Sequence, residues 1–240
     1  MVEPILAPRP SPGPGRVDAV ADLLLDAVLD GRHPAGSVLP PERELAAQLG
    51  VNRTSLRAAL TRLAQMGVIA AHQGRGTVVL DLDDATDPTV VARLVEREGP
   101  SLLVELFEVR QAMGALLGRL AAERAGPDDV VDLRTHLGRC RTAAGAAELQ
   151  RRELAFFARL VDAAGNRPLR RLMRWVEQAY GSAAAPFTAA FDDADAVVDG
   201  LTAIVDAVAG GDAERATAAV DAYATASAVR MLAAVSDGPG

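Results

Sequence analysis

Lysine is missing from this 240-residue sequence, so all 25 basic side chains are arginine. Cysteine occurs once, at Cys140; no internal disulfide can form, and a reducing, cytoplasmic setting is expected. Aromatic residues make up only 3% of the chain, which disfavours a β-sandwich, whereas the dominant Ala, Leu and Val suit packed helices. No segment reads as the roughly 20 apolar residues of a membrane span. No apolar run follows a basic start, so a secretory signal is not expected either.

Half of the residues are apolar, enough to bury two cores and to argue against disorder. The net charge of −7 by itself argues against a nucleic-acid partner, but its distribution reverses that. Residues 39–80 carry five arginines (Arg43, Arg53, Arg57, Arg62, Arg75) against two glutamates (Glu42, Glu44), while 25 of the 32 acidic residues lie beyond residue 80. An acidic body with one basic end can meet DNA in one orientation.

Residues 1–15 contain five prolines and two glycines and are expected to form a disordered arm. Val17, Val20, Ala21, Leu24 and Val28 recur at helical spacing, Gly31 ends that helix, and HPAGS reads as a loop. Pro41 suits the first position of a second helix reaching Leu49, and Gly50 supplies a tight turn. Asn52 is a suitable N-cap for a third helix from Arg53 to about Met66. Val68–Ala71 and Thr77–Leu80 flank His72-Gln73-Gly74-Arg75-Gly76 as a β-hairpin. Residues 81–100 begin with four aspartates and a proline and read as a linker. Six helices are expected beyond it, near 101–125, 128–144, 147–164, 167–181, 194–209 and 212–232, with a flexible tail at 233–240.

The order helix, turn, helix, hairpin over 16–80 is that of a winged helix-turn-helix, which makes the fold class mainly α. A small β-hairpin wing closes the first domain, and an antiparallel all-α bundle follows at 101–232. In the third helix, Leu56, Ala59, Leu60 and Leu63 form an apolar stripe, and Arg53, Arg57 and Thr61 lie on another face. A recognition helix offers its N-terminal residues to base edges in the major groove, where arginine pairs bidentately with guanine. Thr54 and Ser55 suit phosphate oxygens or a thymine methyl, and Arg43 suits the backbone. Gly74 at the wing tip, with Arg75 beside it, would allow close approach to a minor groove.

The stretch LPPERELAAQLGVNRTSLRAALTRLAQMGVI followed by QGRGT resembles the GntR family of bacterial transcription regulators, and within it the FadR-like branch. The resemblance covers about residues 18–81. It implies DNA contacts at Arg43, Arg53 and Arg57 and a wing glycine at Gly74. Two positions depart from the family pattern: Pro41 stands for the usual Ser, and Asn52 for the usual Ser/Thr cap. Segments ELFEVRQAM, FFARLVDAAGNRPLRRL and AIVDAVAGGDAERATAAV resemble, more loosely, the family's helical ligand-binding domain. Many members hold a metal there through one Asp and three His, and those positions fall on Glu153, Phe157, Leu201 and Tyr223. One carboxylate cannot hold such an ion against water, so no metal and no cofactor are expected.

Phe157, Leu201 and Tyr223 read either as ordinary core or as the lining of an effector cavity more apolar than in metal-holding members. Arg110 matches a pocket-facing family position suited to an effector carboxylate or phosphate. An intrahelical pair with Glu105 or Glu108 explains it equally well. The family's acid four positions on is Gly114 here. Of the three histidines, His136 reads as a partly buried structural residue. Asn166 reads as a cap, and Trp175 as a pocket or interface residue.

The resemblance implies a DNA-binding regulator, a repressor by preference. It would act as a homodimer on a palindromic double-stranded operator and be released by a small effector, with an acyl-CoA or another apolar carboxylate the one to test. Two other readings stand beside it: an enzyme and a protein-interaction adaptor built on the helical domain. The sequence offers no nucleophile–base pair, phosphate-cradling loop or metal cluster for the first, and Arg43, Arg53 and Arg57 speak against the second.

Overall fold

The computed structural model describes residues 16–98, 100–182 and 184–236. The expected arm at 1–15 lies outside them. The chain divides into two compact units, one up to Val91 and one from Ala92 onward.

The first unit opens with α1 (Arg16–Leu29), followed by α2 (Glu42–Leu49) and α3 (Arg53–Gln65). Pro41 stands just before α2 in extended conformation, one residue earlier than the sequence suggested; its carbonyl accepts from the Glu44 and Leu45 amides. Gly50 closes α2 in the left-handed region (φ 64°, ψ 32°), where a side chain would be strained. Asn52 Oδ1 then accepts the Ser55 amide at 2.7 Å and caps α3. Leu24, Leu45, Leu56 and Leu63 are fully buried, and α3 packs on α1 and α2. An Arg62–Asp18 ion pair ties α3 to α1.

Strands β1 (Ile69–His72) and β2 (Gly76–Val79) pair antiparallel with Ile69 opposite Val79 and His72 opposite Gly76. The segment read as the HPAGS loop does more than connect. Gly36 and Leu39 donate to the Val79 and Thr77 carbonyls, and Val79 donates to Ser37. The outer edge of β2 is thereby occupied.

Part of the stretch expected as a linker is helical. After a 3₁₀ turn at Leu82–Asp84 it forms α4 (Pro88–Glu98). Asp87 accepts the Thr89 amide at 2.8 Å, and Pro88 stands at the first helical position, where its missing N–H costs nothing. The Asp-Pro pair starts a helix here. Val90, Ala92 and Val95 supply its buried stripe.

In the second unit α5 (Pro100–Arg124), α6 (Pro127–Arg141), α7 (Ala146–Ala163), α8 (Arg167–Ser182), α9 (Ala194–Ala209) and α10 (Ala213–Ser236) form an all-helical bundle. Between the helices expected at 167–181 and 194–209 stands a 3₁₀ segment, Ala185–Phe191, which buries Phe187 and Phe191. Residues 233–236, expected in the flexible tail, belong to α10. Helices α5 and α10 lie in close contact: a Cβ on Gly118 would stand 2.6 Å from the Ala216 carbonyl oxygen. The span Ala213–Val235 is long and apolar enough, by length and composition, to cross a membrane, contrary to the sequence expectation. It instead turns Ala216, Val220, Tyr223, Ser227 and Met231 inward at helical spacing and packs on α5 and α9.

Candidate nucleic-acid interface and sensor core

The capped first turn of α3 leaves Asn52, Arg53 and Thr54 exposed and Ser55 half-buried. Arg57 follows one turn later. Leu56, Ala59 and Leu63 are buried and Leu60 half-buried, so the arginines occupy the face that the core leaves to solvent. The Arg53 and Arg57 side chains are 61% and 63% exposed. Arg43 is exposed on α2. Thr61, on the arginine face, turns its hydroxyl back to the Arg57 carbonyl at 2.9 Å.

At the wing tip Gly74 has φ +79°, and a Cβ there would meet nothing within 4 Å. The obstacle to another residue is therefore backbone strain rather than space. Arg75 is exposed, its amide bonded to the His72 carbonyl at 3.1 Å.

Sequence reasoning missed the partner of the two helical arginines. Glu42, the first residue of α2, accepts from Arg57 Nε at 2.7 Å and lies 3.6 Å from an Arg53 terminal nitrogen. The Arg57 hydrogen bond, aided by the charges of Arg57 and Arg53, holds the Glu42 carboxyl below the usual carboxylate range. Fifteen residues separate Glu42 from Arg57, and only the helix-turn-helix geometry joins them.

In the second unit the structure brings Glu153, Phe157 and Tyr223 together. Glu153 on α7 is buried, and the Tyr223 hydroxyl donates to its Oε1 at 3.0 Å. The Phe157 and Tyr223 ring centroids are 5.4 Å apart. Leu201 is fully buried on α9. Burial pushes the Glu153 carboxyl above its ordinary range, against the pull of Arg110, the Tyr223 hydrogen bond and Arg230. Burial likewise raises the Tyr223 phenol, helped by the Glu153 charge.

Arg110 on α5 reaches across to α10. It donates to Ser227 Oγ at 3.1 Å, lies 3.6 Å from Met231 Sδ, and stands 5.9 Å over the Phe107 ring. These contacts direct Arg110 toward α10, where Ser227 is buried. Gly114, where the family carries an acid, faces Val220: a Cβ there would lie 3.1 Å from Val220 Cγ1.

Four polar side chains here escaped the sequence reading: Gln150, Tyr180, Thr188 and Arg230. Gln150 donates to the Tyr180 hydroxyl and the Ala184 carbonyl and accepts from Thr188. Arg230 donates to the Ala190 carbonyl at 3.0 Å. Burial raises the Tyr180 phenol to about 12 and the Cys140 thiol to about 11, so neither ionises near neutral pH. His136 is half-buried on α6, and burial lowers its pKa. Asn166 Oδ1 accepts the Leu169 amide at 3.0 Å, capping α8 as expected. Trp175 is half-buried on the same helix. Among the described residues no group of three or more His, Cys, Asp or Glu converges as a metal site would require.

Residues 16–79 match the family described as bacterial regulatory proteins, gntR family, and residues 105–226 match the FCD domain. An HTH-type transcriptional regulator of Mycobacterium tuberculosis is 50% identical over 198 residues, covering 82% of each chain. A fatty acid metabolism regulator protein of Proteus mirabilis is 32% identical over 148 residues, 60% of this chain and 61% of its own. Among solved structures, that of Lar, which controls the expression of the Listeria monocytogenes agr system, superposes with a TM-score of 0.58 at 18% identity. It covers 92% of this chain and 98% of its own, a likeness of fold alone. The arginine-bearing helix behind its glycine turn, the hairpin wing and the helical bundle therefore have one explanation: the chain belongs to the GntR family of bacterial transcription regulators, in its FadR-like branch, and pairs a DNA-binding winged helix-turn-helix with an FCD ligand-binding domain, as regulators rather than enzymes do.

Proposed function

We propose that this chain is a cytoplasmic, homodimeric repressor that holds a palindromic operator until a small effector enters its sensor core. The observation that carries the DNA half is the exposed pair Arg53 and Arg57 at the capped end of α3, opposite a fully buried stripe. In this reading Arg53 and Arg57 address base edges. Asn52, Thr54, Ser55 and Arg43 fix the register on phosphates, and Gly74 with Arg75 follows the minor groove. One such helix reads only a few base pairs, and a two-fold copy doubles the contacts.

The sensor half occupies the helical second unit, with its site at Arg110, Glu153, Phe157, Leu201 and Tyr223. It takes no metal: the one carboxylate left in the family's ligand set is already bonded to the Tyr223 hydroxyl, and Phe157 and Leu201 offer no lone pair. Arg110, held by a hydroxyl and a thioether, has donors to give an anionic head group. Phe157, Leu201 and Tyr223 provide apolar surface for its tail. The Proteus mirabilis relative, named for fatty acid metabolism, supports an acyl-CoA or another apolar carboxylate. Effector and DNA then weaken one another by the same factor.

A thermal-shift screen of metabolites that includes acyl-CoAs tests the sensor, because a ligand at 100 times its Kd stabilises by about 2.7 kcal/mol. A hit is expected to release a promoter fragment in a mobility-shift assay. Acyl chains that neither raise the Tm nor release DNA would remove this effector class, and a chain that ignores promoter fragments without effector would remove the repressor reading.

A further inference from the structure

We propose that Glu42 is a positioning residue for the DNA-reading arginines, aligning Arg57 and Arg53 while repelling phosphate, so that matched bases are favoured over backbone alone. The inference rests on the proposed base-reading role of those arginines.

The geometry is specific. Glu42 takes the Nε–H of Arg57 at 2.7 Å. A guanidinium has five donors in a fixed fork, so the two terminal nitrogens of Arg57 remain for a guanine edge and the head is held end-on. Arg53 lies 3.6 Å away, a looser ion pair than that of Arg57. One carboxylate thus restrains one guanidinium by a directed bond and draws the other toward it by charge. The two heads stay mostly exposed, at 63% and 61%, so the restraint does not hide them.

The same carboxylate carries a cost on DNA. Phosphate binding scales with the number of charges neutralised, and an anion beside two arginines lowers that number on every sequence alike. Base contacts depend instead on orientation, which the Arg57 bond supplies. Glu42 therefore weakens general binding and sharpens discrimination. Its charge persists through neutral pH, since Arg57 holds its carboxyl below the usual range.

The test uses the full chain with two duplexes, one recovered from a randomised library by the wild-type protein and one with the same bases scrambled. Glu42→Gln is expected to bind the scrambled duplex about 3–10 times more tightly, with a slope of log K against log salt steeper by about one. The Gln amide oxygen still accepts from Arg57 but without charge assistance, so the ratio of matched to scrambled affinity falls several-fold, by about 3–10 times. Glu42→Asp keeps the charge but shortens the reach, so it loses discrimination without the gain on scrambled DNA. In an Arg57→Ala background, Glu42→Gln should move the ratio by less than about twofold, the signature of a shared interaction. Thermal melts confirm that each variant is folded, and Glu42→Asp decides the matter should Glu42→Gln not fold.

An unchanged ratio in Glu42→Gln, or an equal drop in the Arg57→Ala background, overturns the assignment of Glu42 alone. If Arg53→Ala and Arg57→Ala each leave the ratio intact, the base-reading role fails first and the assignment of Glu42 falls with it.

Discussion

Gly200 on α9 leaves the space that the Tyr223 ring of α10 fills: a Cβ on Gly200 would stand 2.6 Å from Tyr223 Cδ2. The ring is thereby set against α9 while its hydroxyl meets Glu153. Gly200→Ala should displace the ring and destabilise the chain by about 1–3 kcal/mol, the usual range for an overfilled core. In a Tyr223→Leu background the ring is gone and the same substitution should cost well under about 1 kcal/mol. Urea denaturation of the four chains measures both; equal costs in the two backgrounds would show that Gly200 does not act through Tyr223.

The proposed division of labour among the arginines separates by substitution. Arg53→Ala should cost about 1–3 kcal/mol on a matched duplex and relax preference at one base. Arg43→Ala should weaken matched and scrambled duplexes alike. Filter-binding titrations at several salt concentrations decide between the two patterns, and equal losses for Arg53→Ala would deny it a base-reading role.

Glu153 makes stability depend on pH with a definite sign. Its carboxyl titrates above the ordinary carboxylate value of about 4.5 because burial disfavours the charge. The folded chain thus keeps a proton that the unfolded chain releases, and this contribution is lost as pH rises from about 4.5 through the folded value. Glu153→Gln is neutral throughout and still accepts from the Tyr223 hydroxyl. It should gain Tm relative to wild type as pH goes from 5 to 8. His33 and His136, both lowered by burial, act oppositely: they remove stability as pH falls below 6.5. Their effect is common to both chains and cancels in the difference. A difference in Tm that stays flat with pH would contradict the assignment.

Exhaustive chelation should leave Tm and DNA affinity where they were, because the proposed sensor site relies on a hydrogen-bonded carboxyl rather than on a cation. A fall of several degrees with EDTA, restored by a divalent metal, would show that other residues hold one.

How far the sequence disclosed this molecule depends on how local each signal is. The turn between α2 and α3 was readable because Gly50 and Asn52 act within a few residues of themselves. The stripe of Leu56, Ala59 and Leu63 was readable because burial repeats with the helix. Helix α4 was obscured because Asp87 and Pro88 serve linkers and helix starts equally, and only the burial of Val90, Ala92 and Val95 decides between them. The pairing of residues 36–39 with β2 is carried by main-chain atoms that composition does not report. Resemblance alone singles out Arg110 in the sequence; Ser227 lies 117 residues away and no periodicity links them. In the sequence Glu42 reads as charge alone; the turn between α2 and α3 brings it to Arg57.

The backbone-close seam at Gly118 bears on any attempt to alter the effector response proposed for this regulator. Any larger residue at 118 would wedge apart the two helices that carry Arg110, eight residues before Gly118, and Ser227, eleven residues after Ala216. Libraries aimed at the proposed sensor site should therefore hold that ridge constant and diversify α7 and α9, which carry Glu153, Phe157 and Leu201 away from the close seam.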